Sequence, residues 1–207
     1  MLNKIRPILL LLFGLVVGLG LVFGAVILQA RLFPPPHQWQ GLYLDEPRVA
    51  FDFQLQGAGN APVKLSDFRG KVVVLFFGYR SCPDVCPLTL ANLERALTTL
   101  GPAAADVQVI MVSVDPERDT PEAVAAYAQA FSPQFVGVTG SLAQLTEVAE
   151  AYNIYFMKEE TPSAAGYLVT HSSTLTVIDQ SGKIRLVWPF GVESSAIAAD
   201  LNVLLAR

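Results

Sequence analysis

The chain's two cysteines lie four positions apart, in Ser81-Cys82-Pro83-Asp84-Val85-Cys86-Pro87. Two thiols at this spacing suit a disulfide, a redox dithiol or a thiolate clip for a soft metal. They follow a run that reads as a buried strand, Lys71-Val-Val-Val-Leu-Phe-Phe-Gly78, and precede a helical stretch from Leu88 to Leu100. A helix N-terminus favours thiolate over thiol, which both redox and metal chemistry require. A purely structural staple explains the pair poorly. So short a loop constrains the unfolded chain little, and the domain is large enough to bury a core without one.

The flanking elements set where these thiols stand. Phe51 to Leu55 alternates as a half-buried strand, and Ala61 to Leu65 returns from a turn at Gly57–Asn60, which predicts a hairpin. Val72 to Phe77 and Val107 to Val114 are continuously apolar, as central strands covered on both faces are. Leucines at helical spacing run to Leu100, where Gly101-Pro102 ends the helix. Thr120 caps a helix that starts at Pro121 and runs to about Ala130. Phe135 to Thr139 reads as a short buried strand. Ser141 and Gln144 form a capping box opening a helix to Tyr152. Asn153 to Met157 reads as extended, and Lys158 to Ala165 as an exposed loop. Ser173 to Ile178 and Ile184 to Trp188 are strands joined by a turn at Asp179–Gly182. A last helix starts at Ser194 or Ser195 and ends at Leu205. Two apolar strands joined through a helix predict a parallel pair, and the late hairpin adds antiparallel strands. The expected fold is α/β, a thioredoxin-like domain with an N-terminal hairpin and the cysteines at its first helix.

This arrangement bears on the chemistry. A redox pair is more often spaced CxxC. Thioredoxin-like reductases also carry a tryptophan before the first cysteine and a cis-proline before the strand that faces the disulfide. Here Arg80-Ser81 and Thr170-His171-Ser172 occupy those places. His171 is the one histidine of the globular part, and its loop is expected opposite the cysteine turn. Cys82, Cys86 and His171 then converge. Thiolates select Cu(I), and an imidazole extends the site to Cu(II). Zinc also accepts two cysteines, a histidine and a water. Asp84 lies between the cysteines, and Asp115, Arg118 and Asp119 share a charged loop. For Asp84, support of the metal or docking stands level with a plain turn role, whereas the Asp115 loop reads first as structure. Met111 reads as core; Met157 is a further soft donor.

The ends and the composition bound the setting. Lys4 and Arg6 precede 22 residues, Pro7 to Leu28, without a charge. As a helix they span about 33 Å, enough to cross a bilayer core. The run is longer than a signal-peptide core, and Ile27-Leu28-Gln29-Ala30 is a poor cleavage site. Residues 1–31 are therefore read as one transmembrane anchor with its N-terminus inside. Residues 32–40, with Phe33-Pro-Pro-Pro-His37, read as a stiff proline-rich linker, and residues 41–207 as one domain. With Lys4, Arg6 and Arg31 set aside, 11 basic residues face 18 acidic ones, about −7. That balance argues against nucleic acid as a partner.

The residues then resemble a known family. Phe77-Gly-Tyr-Arg-Ser-Cys-Pro-Asp-Val-Cys-Pro87, Val112-Ser-Val-Asp-Pro-Glu-Arg-Asp-Thr-Pro121, Phe131-Ser-Pro133, Val138-Thr-Gly140 and Tyr167-Leu-Val-Thr-His171 are similar, in order and spacing, to the signatures of the Sco/SenC copper proteins. The resemblance covers about residues 50 to 190 and includes the N-terminal anchor. It implies a metallochaperone that binds one copper, Cu(I) or Cu(II), through Cys82, Cys86 and His171. The implied acceptor is the binuclear copper centre of cytochrome c oxidase, with other copper chaperones or thiol-disulfide reductases as further partners. It also implies thiol-disulfide activity of a Cys82–Cys86 pair that keeps oxidase cysteines reduced. The implied location is a bacterial cytoplasmic membrane, single-pass, with the domain outside. Many members carry an aspartate before the histidine; this chain has Thr170.

Overall fold

The computed structural model describes residues 2–32, 37–161 and 166–206. Its contacts divide the chain into residues 1–38 and 39–207. In the first unit α1 is helical over Leu2–Leu32, with its side chains described only in part. Among the described residues no helix is long and apolar enough to cross a membrane. The triple proline of the expected linker lies outside the described residues.

The second unit is α/β and thioredoxin-like. Its strands are β1 (Leu42–Val49), β2 (Gln54–Gln56), β3 (Pro62–Lys64), β4 (Val72–Gly78), β5 (Val107–Ser113), β6 (Val136–Val138), β7 (Phe156–Glu160), β8 (Tyr167–His171), β9 (Leu175–Ile178) and β10 (Lys183–Trp188). Its helices are α2 (Val85–Leu100), α3 (Pro121–Gln129), α4 (Leu142–Ala151) and α5 (Ser194–Leu205). Six strands form the main sheet in the order β1-β10-β9-β4-β5-β6. β4, β5 and β6 are parallel, and β9 returns antiparallel beside β4. Every residue of β4 and β5 is buried, as expected for parallel strands covered on both faces. The core around them includes Phe76, Phe77, Ile110, Met111 and Trp188, so Met111 is a core residue. α2 packs on α5, and α3 lies along β6.

The expected hairpin is present as β2 and β3, with Leu55 opposite Val63. Four expectations change, the first being that His171 closes a strand, β8, rather than standing in a loop. β1, which the sequence did not announce, is an edge strand on β10, with a register shift between Tyr43 and Arg48. Pro47 and the charges around it hide the alternation, and proline is tolerated on an edge. Lys158 to Glu160 are strand, not loop, because they pair with Tyr167 to Val169. Their side chains are exposed, so backbone pairing rather than an apolar face defines the strand. Finally, α2 begins at Val85 rather than Leu88. Pro87 falls in its first turn, where a missing N–H costs no helical bond, and Cys86 becomes a helical residue.

A buried carboxylate ties the sheet to the last helix. Asp200 is fully buried. It accepts hydrogen bonds from Trp188 Nε1 (2.8 Å) and the backbone N–H of Gln40 (3.1 Å). Asp200→Ala leaves the buried indole N–H without this acceptor and is expected to cost about 1–3 kcal/mol in denaturant unfolding. An unchanged midpoint and slope contradict this role.

Candidate metal centre

Each sulfur is placed by backbone geometry. β4 ends at Gly78, and the chain turns through Arg80 and Ser81 into the cysteine loop. Cys86, in the first turn of α2, has no exposed surface. A Cβ at Gly78 would stand 2.9 Å from Cys86 Sγ and 2.9 Å from the Phe76 ring. A side chain there would push the thiol off its place, which gives this glycine its reason. Cys82 precedes α2 and is half-buried. Its Sγ accepts the Cys86 backbone N–H at 3.4 Å, in the manner of a side chain capping a helix. Asp84 is the N-cap residue, yet its own side chain makes no capping bond; it is exposed at the rim.

His171 ends β8, the inner strand of a two-stranded sheet with β7. Its Nδ1 lies 3.0 Å from the Ser172 carbonyl oxygen. A carbonyl only accepts, so Nδ1 donates to it, and Nε2 is the ring atom that faces the thiols. Nε2 is 3.8 Å from Cys86 Sγ, across 85 residues of sequence. The edges of Phe76 and Tyr79 brace the ring, with centroids 6.4 and 5.9 Å away. The donor atoms of Cys82, Cys86 and His171 all lie within 4.8 Å of one another. A metal at about 2.3 Å from a thiolate and about 2.0 Å from an imidazole nitrogen holds the two about 3.7 Å apart at a trigonal angle. The Cys86–His171 separation already matches.

Electrostatics separates the two thiols, which are unbridged. The hydrogen bond from the Cys86 thiol is the chief reason that Cys82 is lowered to about 3; burial opposes this, while His171 and the N–H groups of Asp84 and Cys86 assist. The same contact with Cys82, followed by burial, raises Cys86. The reduced pair therefore holds one proton, on the buried sulfur, and Cys82 is the thiolate.

Cys82 and His171 line an open depression of about 300 Å³, bordered by Tyr79, Pro83, Asp84 and Thr170, while Cys86 is enclosed. A larger cavity of about 530 Å³, lined by residues such as Leu142, Ile154 and Met157, contains none of the three donors. Thr170 is exposed and stands at the border of the same depression as His171. Asp115 lies outside the cluster. It is 3% exposed and accepts hydrogen bonds from Tyr167 Oη (2.7 Å) and Arg118 Nε (2.6 Å). Asp119, 1% exposed, accepts the Arg80 backbone N–H at 2.9 Å and the Ser113 hydroxyl at 2.6 Å. The bracing by Phe76 and Tyr79 and the need for Gly78 escaped the sequence reading. A glycine closing a wholly apolar strand just before the cysteines was the available signal.

The signature of the SCO1/SenC family matches residues 43–206. The chain belongs to that family. An SCO2-like protein of Rickettsia conorii is 28% identical over 186 residues, 87% of each chain. The solution structure of apo Sco1 from Thermus thermophilus is 42% identical, with a TM-score of 0.74, covering 82% of this chain and 99% of that one. A copper-bound ScoI from Bradyrhizobium japonicum is 32% identical, with a TM-score of 0.68, covering 75% and 99%. The Sco/SenC resemblance and the thioredoxin-like fold both stand.

In the reduced, metal-free chain, one thiol is expected to alkylate at a rate that stays flat from pH 5 to 8, because Cys82 is already thiolate there. The other reacts only on unfolding. Two thiols titrating with midpoints near the ordinary ~8.5 contradict this assignment.

Proposed function

We propose that this protein is a membrane-anchored, extracytoplasmic copper chaperone. It binds one copper ion through Cys82, Cys86 and His171 and delivers it to the binuclear copper centre of cytochrome c oxidase. The observation that carries the reading is the convergence of two thiols and one imidazole within 4.8 Å. The donor set suits the cargo. Thiolate sulfur is soft and favours Cu(I), and the imidazole accommodates Cu(II). Two thiolates give a net charge of −1 with Cu(I) and zero with Cu(II). Cys82 is half-buried while Cys86 is enclosed, so an incoming ligand reaches the metal from the Cys82 side. Transfer then proceeds by ligand exchange, with acceptor cysteines and histidines replacing the donors in turn.

An uncharged apolar run supports the proposed setting. Residues 1–31, with the uncharged run Pro7 to Leu28 after Lys4 and Arg6, act as a single-pass anchor in a bacterial cytoplasmic membrane, N-terminus inside. Residues 32–40 are the spacer, and residues 41–207 the copper-binding domain outside. The copper-bearing oxidase subunit is the partner, and other copper chaperones or thiol-disulfide reductases supply metal or electrons. The copper-bound state of the ScoI relative supports the choice of metal.

A second reading has its own observation, the low-pKa, accessible Cys82 beside a protonated Cys86. Cys82 thiolate attacks a substrate disulfide, forms a mixed disulfide and releases one substrate thiolate, which takes the Cys86 proton. Cys86, now a thiolate, displaces the second, leaving a Cys82–Cys86 disulfide that an external dithiol reduces. The same pair thus serves metal and electrons in alternate states.

Anaerobic titration of the reduced chain separates the readings. His171→Ala is expected to lower copper affinity by more than about 100-fold, beyond the 10–100-fold typical of groups that only support a ligand, with its circular dichroism unchanged. Unchanged copper binding overturns the three-ligand centre. For the thiol activity, metal-free Cys82→Ser is expected to lose turnover of a mixed-disulfide substrate, while His171→Ala retains most of it. Turnover that survives Cys82→Ser contradicts the second reading.

A further inference from the structure

The donor set comes from two separate pieces of backbone. The cysteines follow β4 of the main sheet. His171 ends a two-stranded sheet that shares no ladder with it. The short link from His171 to β9, whose Leu175 pairs with Phe76 of β4, ties the histidine to the main sheet at one end; side-chain contacts fix β8 at the other, and one loop, residues 115–119, reaches both pieces.

On the cysteine side, Asp119 is held by the Ser113 hydroxyl and accepts the backbone N–H of Arg80, two residues before Cys82. On the histidine side, Asp115 accepts the Tyr167 hydroxyl at 2.7 Å and Arg118 Nε at 2.6 Å. Arg118 Nη1 donates to the Tyr167 carbonyl at 3.0 Å. The guanidinium lies 3.6 Å from the centre of the Tyr167 ring and 5.8 Å from that of Tyr79. Tyr79 in turn meets His171 edge-on. On the outer strand, Lys158 Nζ pairs with Glu117 at 2.8 Å. β8 is thus gripped at Tyr167, four residues before the ligand, by a carboxylate and a guanidinium that are themselves largely buried.

We propose that the 115–119 loop sets the register of His171 against the cysteine pair, with Asp115 and Arg118 acting through Tyr167 as positioning residues. Neither touches the donors, yet each holds the strand that carries one. Charge-assisted, largely buried hydrogen bonds define a single arrangement, because breaking one leaves a buried charge short of a partner. A ligand set tolerates little displacement before affinity falls. The inference rests on the copper reading for its purpose; the anchoring of β8 does not.

The test is Arg118→Ala in the full chain, alone and combined with His171→Ala. Tyr167→Phe, which deletes only the oxygen bound to Asp115, serves as a milder second variant. In the metal-free chain each loop variant is expected to speed amide exchange in β8 while β4 and β5 keep their protection. Each is expected to weaken copper binding 10–100-fold when His171 is present. With His171→Ala already in place, neither lowers copper affinity further. An equal fall in both backgrounds, or unchanged exchange in β8, overturns the proposal. A failure of the copper reading looks different: His171→Ala alone then binds copper like the parent chain, with the loop intact.

Discussion

The buried thiol of Cys86 is the constraint on which the site depends. A sulfur with no exposed surface, in the first turn of a helix and against a glycine that ends a core strand, has almost no freedom to move. Its contact with Cys82, and then burial, disfavour its ionisation, so its proton stays as the hydrogen bond donated to Cys82. One fixed, protonated sulfur thus makes the other a thiolate. The helix N-terminus adds the Cys86 N–H to the same sulfur. The asymmetry of the pair, one sulfur enclosed and one reachable, follows from where β4 stops and α2 begins.

That asymmetry suits the proposed role, in which a bound metal is handed on. A site closed by four residues of one rigid element holds its metal. Here two donors belong to a helix start and the third to a small two-stranded sheet, with Cys82 and His171 in an open depression and Cys86 enclosed. The aromatic edges of Phe76 and Tyr79 limit the imidazole to a narrow range of orientations, and the Ser172 carbonyl fixes its tautomer. The domain therefore supplies a preformed set of donors while leaving one side open to an exchanging ligand. Asp115 and Asp119 of the 115–119 loop are buried and engaged in this scaffold, where they contribute shape, whereas Glu117 is exposed and pairs with Lys158.

Much of this was readable from residue types alone, for physical reasons. β4 and β5 are covered on both faces, and such strands must be continuously apolar. The metal cluster was readable because its residues are rare, two cysteines and two histidines in 207 residues. Half-exposed elements left weaker traces. β1 carries Pro47 and β7 carries Lys158 to Glu160, and neither alternates. The start of α2 was misplaced because Pro87 suggests a boundary, whereas a first helical turn accepts proline without loss. The link from Asp115 to Tyr167 spans 52 residues. It joins common residue types, and no local pattern reveals it.

The proposed centre is a single copper held by two sulfurs and one nitrogen. X-ray absorption on the chain loaded anaerobically with Cu(I) tests it most directly. The predicted result is one copper per chain, with two sulfur scatterers and one nitrogen scatterer in a three-coordinate shell. A shell of sulfur alone, or more than one copper per chain, contradicts it.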